Sequence, residues 1–115
     1  MKTYTGETGC VYQYYFVGKR PALEGEPEAP ATEFIIDVTA DRNTTFAVSV
    51  FLKPEALRAW EGAHGRLLTE SEQYAAAKMR LFRAFDQVEQ MRDQGRRLRI
   101  DASDIEDLLG ALGLE

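Results

Sequence analysis

Across residues 69–95 apolar side chains return at the spacing of an α-helix, and no other stretch constrains the fold as tightly. At about 100° per residue, Tyr74, Ala77, Leu81, Ala84, Phe85, Val88 and Met91 share one stripe, with Glu72, Arg80, Arg83 and Gln87 opposite. Thr69 carries the side-chain oxygen of an N-cap, and Glu72 can reach back to the cap amide, which makes a capping box. Gly95 is the expected left-handed stop, with Arg92 near the negative end of the helix dipole. A long amphipathic helix of this kind needs a second layer to bury its stripe. Beside the stripe lies a smaller patch of Ala75, Met79 and Phe82, which one flat partner cannot also cover.

The second layer is written earlier in the chain. Residues 11–18 (VYQYYFVG) are β-branched and aromatic between glycines, with Tyr12, Tyr14 and Phe16 on one side and Val11, Tyr15 and Val17 on the other. Residues 34–39 and 45–52 read as two more strands, and Asp41-Arg42-Asn43 between them as the polar turn of an antiparallel hairpin. Residues 19–31 hold three prolines and three glutamates, a composition that predicts a long acidic loop. The period changes at Lys53-Pro54, where proline opens a helix of about two turns that Gly62 and Gly65 end. Residues 97–100 suggest a short strand. Ser103 with Glu106 forms a second capping-box pattern before Ile105, Leu108, Leu109 and Leu112. Three strands followed by helices predict an α+β, two-layer fold: a three- or four-stranded, mainly antiparallel sheet packed by one long helix and two shorter ones. Residues 1–115 read as a single domain, with the sheet's far face turned to solvent or a partner.

Charge narrows the function classes. A net charge of −5 argues against a general nucleic-acid binder, because duplex phosphates repel the average field. No apolar run approaches the roughly 20 residues of a membrane span, and residues 1–9 lack the apolar core of a signal peptide. With Cys10 as the one cysteine, an internal disulfide is impossible, and the cytoplasm is the expected compartment.

Chemistry is sparse in the sequence. His64 between glycines has no sequence neighbour to make it a base, and one Cys with one His cannot supply the usual zinc ligands. The acidic run Asp101, Asp104, Glu106 and Asp107 is explained by the dipole of the helix it opens. No catalytic residue, metal or cofactor is expected. The residues left as candidates for a ligand or partner are Lys78, Arg96, Arg97 and Arg99, whose cations suit an anion, and Tyr12 and Tyr14, of a type enriched at interfaces. The patch of Ala75, Met79 and Phe82 is the candidate interface, covered by one of the other helices or by a second copy; a homodimer is the expectation. The leading functional expectation is a small acidic non-catalytic interaction domain: an adaptor, inhibitor or regulatory subunit. The alternative is a small anionic-ligand-binding domain or minor enzyme using Lys78 and Arg96–Arg99.

Overall fold

The computed structural model describes residues 1–7, 9–22 and 31–113. The fold is α+β, with one five-stranded mixed sheet in the order β1-β2-β3-β4-β5 and the main helices on one side of it. β1 (Lys2–Thr5), β2 (Val11–Pro21), β3 (Thr32–Thr39) and β4 (Phe46–Leu52) form an antiparallel meander. β5 (Arg97–Ile100) then lies parallel to β4. Parallel neighbours need a long crossover, here supplied by α1 (Pro54–His64), α2 (Glu70–Gln87) and α3 (Met91–Gln94). α4 (Ala102–Gly110) closes the chain against α1 and α2.

Alternation divides the sheet residues between two faces. Phe34, Ile36, Val38, Val48, Val50 and Ile100 point into the helix layer and are fully buried. There they meet Trp60 of α1, Leu81 and Phe85 of α2, and Ile105 and Leu109 of α4. A bulge between Phe16 and Gly18 resets the phase of β2. Beyond it Lys19 lies opposite Phe34, on the helix side, and pairs with Glu70 of α2 at 3.3 Å. Arg20 lies opposite Glu33, on the other side.

Several expectations need correction. The sheet has five strands, because the polar segment Lys2–Thr5 adds an edge strand whose only strong apolar anchor is Tyr4. Lys19–Pro21 belong to β2, since pairing with β3 carries the strand past Gly18; residues 23–30 of the expected loop lie outside the described residues. The Thr69–Glu72 capping box is present, with Glu72 N donating to Thr69 Oγ1 at 3.2 Å and Thr69 N to Glu72 Oε1 at 3.0 Å. The long helix, however, stops at Gln87, where Val88 turns extended (φ −105°, ψ 114°). The break lets Met91 fold into the core on a separate short turn. Gly95 ends that turn at φ −113°, outside the left-handed region; a Cβ there would crowd the Met91 side chain, which would have to shift. α1 runs through Gly62 to His64 and is capped by left-handed Gly65 (φ 69°). α4 is opened by Asp101 and Asp104 rather than Ser103 and Glu106, with Asp101 N donating to Asp104 Oδ2 at 2.9 Å. Glu106 is engaged elsewhere, by His64 Nε2 at 2.8 Å, so it ties α4 to α1. Leu112 lies beyond α4 and is exposed.

Candidate functional site

The face of the sheet turned away from the helices brings exposed Tyr15 and Val17 together with the charged residues Arg20, Glu33, Asp37, Arg97 and Arg99. Three cross-strand rows build it. Tyr15, Asp37 and Ala47 form the first; Gly18, Ile35, Ser49 and Arg97 the second; Arg20, Glu33, Phe51 and Arg99 the third. Tyr15 and Val17 are 59% and 52% exposed, and Ile35 is half-buried between them and β4.

Beside this apolar strip the polar groups are held in place. Glu33 is buried, and it accepts from Arg20 Nε at 3.0 Å on one oxygen and from Ser49 Oγ at 2.6 Å on the other. The Ser49 hydrogen bond, then that of Arg20, hold its carboxyl below the usual range, with the nearby Arg97 charge adding to both. Arg97 lies over the Phe51 ring at 5.0 Å, and Phe51 packs on Ala22 and Ala31. Arg96 Nε donates to Ala47 O at 3.1 Å, and Arg80 Nε reaches across from α2 to Arg99 O at 2.9 Å, so β5 is clamped from two sides.

The sequence candidates separate in space. Arg97 and Arg99 alternate with Leu98 and Ile100, so both reach the open face. Arg96 is spent on the β4 backbone. Lys78 sits in the other layer, on α2, 5.9 Å over the Tyr74 ring. Tyr12 and Tyr14 are each 5% exposed, on the helix side. Tyr12 stacks on Phe85 at 4.1 Å, and Tyr14 meets Phe82 edge-on at 5.4 Å. Their neighbour Tyr15 is the ring left outside, and strict alternation along residues 11–17 is the signal that separates it from them. Glu33, Ser49 and Phe51 carry no signal of this kind, because only the register brings them beside the arginines.

The patch of Ala75, Met79 and Phe82 is half-buried. Phe82 stacks on Tyr4 of β1 at 4.2 Å, and Met79 and Phe82 pack against the core. They line a cleft of about 400 Å³ with Asp86, Arg83 and Leu108. Asp86 accepts from Tyr4 Oη at 2.7 Å and from Glu7 N at 2.9 Å, which fastens the amino-terminal strand to α2. Arg83 is paired with Asp104 at 3.0 Å. His64 lies 4.2 Å from the Trp60 ring and is bound to Glu106, while Cys10 is exposed at the start of β2. Among the described residues no three His, Cys, Asp or Glu side chains gather where a metal ion could be held. None of their helices is long and apolar enough to cross a membrane.

In comparison with known proteins, the chain matches no family model, no curated protein and no solved structure.

Proposed function

We propose that the chain is a non-catalytic protein-interaction domain, acting as an adaptor, inhibitor or regulatory subunit through the open face of its sheet. The observation that carries this reading is the one-sided cover of the sheet: helices bury one face, and the other presents Tyr15, Val17 and Ile35 beside Arg20, Arg97 and Arg99. Tyr and Arg are the side chains that most often dominate binding energy at interfaces. Rigid strands and the Arg20–Glu33–Ser49 hydrogen bonds settle part of the ordering cost before a partner arrives. Arg20, Arg97 and Arg99 outnumber Glu33 and Asp37 on this face, although the chain as a whole is acidic. The matching surface is therefore apolar with carboxylates at its border.

Capture of a stoichiometric partner from the native host tests this. Ile35→Asp with Arg99→Glu should abolish capture, and Lys78→Glu, in the helix layer, should leave it unchanged. Capture lost with Lys78→Glu and kept with the sheet-face pair would refute the assignment. A second reading, binding of a small anion, rests on Arg97 and Arg99 projecting to the same side of β5. It is favoured if phosphates or carboxylates raise the melting temperature and Arg99→Gln removes the shift.

A further inference from the structure

β2 has a second unfinished surface, its outer edge. Of its 11 residues, the stretch paired with β1 ends at Tyr14, so no described strand covers the outer side of residues 15–21. An uncovered edge is a row of unpaired backbone donors and acceptors that another strand can complete. Lysines and arginines on an edge ordinarily guard against this, but here both cations are already engaged. Lys19 is held by Glu70 at 3.3 Å and Arg20 by Glu33 at 3.0 Å. Pro21, which lacks an N–H, blunts the far end, and the bulge between Phe16 and Gly18 twists the middle of the edge.

The bulge decides which occupant fits. Tyr15 lies opposite Asp37 and Arg20 opposite Glu33. Asp37 and Glu33 share a face of β3, so Tyr15 and Arg20 share the open face although they are an odd number of residues apart. Phe16 and Lys19, opposite Ile36 and Phe34, share the helix face in the same way. A second copy laid antiparallel, with the two-fold axis between Val17 and Gly18, therefore matches face to face. It sets Tyr15 opposite Arg20 of the second copy, and Phe16 opposite Lys19 of the second copy, each pair occurring twice. Registers centred on Val17 or on Gly18 oppose residues from different faces and are excluded by the pleat. This register spans residues 15–20 and stops where each copy's β1 begins.

We propose that two copies of the chain associate through residues 15–20 of β2, joining their sheets into one across a two-fold axis. The contact uses the edge of the sheet and does not depend on what binds its open face. Light scattering after size exclusion, over a range of micromolar concentrations, should show a mass moving from 13.0 kDa towards twice that value. Tyr15→Lys puts like charges opposite each other twice and should weaken the dimer about tenfold, whereas Tyr15→Glu, facing Arg20 of the second copy, should stay within about threefold of wild type. Tyr15 is exposed, so both variants should keep the wild-type circular dichroism. Amides of residues 15–20 should exchange more slowly as concentration rises. A monomer at every concentration overturns the proposal, as does a dimer indifferent to Tyr15→Lys or equally weakened by Tyr15→Glu.

Discussion

Asp86 ties the amino-terminal strand to α2. Its two oxygens accept from the Tyr4 phenol and the Glu7 amide, and Gly6 passes so close that a Cβ there would stand 3.0 Å from Asp86 Oδ1. The hydrogen bond to Asp86, then burial and the same carboxylate's charge, push the Tyr4 phenol from 10.0 up to about 12. A raised pKa in the folded state means stability that is complete below the unfolded value and lost as pH climbs towards the folded one. The Tyr4 contribution should therefore disappear between pH 10.0 and about 12. Asp86→Ala should cost about 1–3 kcal/mol, since two donors lose their partner. It should also move the Tyr4 titration down towards the ordinary range, with burial keeping it raised, which Cζ-labelled tyrosine followed by NMR reads directly. An unchanged Tyr4 titration in Asp86→Ala would show that the carboxylate is not the cause.

At the scale of elements, helix starts were more legible than helix ends. Thr69 and Glu72 announce α2 because a cap is local chemistry between residues three apart. Arg66 adds two charge-assisted bonds to Glu72, at 2.9 and 2.8 Å, which sequence spacing does not reveal. Together with the Thr69 amide they draw the Glu72 carboxyl from 4.5 down to about 2, the Arg66 hydrogen bond contributing most. A depressed carboxylate stabilises above its unfolded pKa and stops doing so as pH falls to the folded one. Acid denaturation of Glu72→Gln should therefore match wild type near pH 2, fall progressively behind it as pH rises from about 2 to 4.5, and show the full difference above 4.5. Equal stabilities at neutral pH would count against the ion pair. The other end of α2 was misread because the apolar stripe continues through Val88 and Met91, while the helix does not. Both side chains pack on the core, Val88 from the extended residue that caps α2 and Met91 from the separate turn of α3. At α4 the cap is Asp101, two residues before Ser103, and Glu106 pairs instead with His64, 42 positions away.

For the molecule as a whole, alternation predicted two layers and one bare sheet face, and both follow from side chains pointing to opposite sides of a strand. What alternation could not supply is the parallel placement of β5, which brings Arg97 and Arg99 beside Glu33 and Phe51. Alternation separates Tyr15 from Tyr12 and Tyr14 but does not say which side is buried, since that depends on Phe82 and Phe85 of α2 meeting Tyr14 and Tyr12. The tyrosines are thus divided between a buried face and an exposed one. Tyrosine nitration at submicromolar concentration, where the proposed edge pairing is dissociated, measures this division site by site by peptide mass spectrometry. Tyr15, at 59% exposure, should be modified well before Tyr12 and Tyr14, each at 5%. Modification of Tyr12 or Tyr14 as fast as Tyr15, in protein that remains folded, would contradict it.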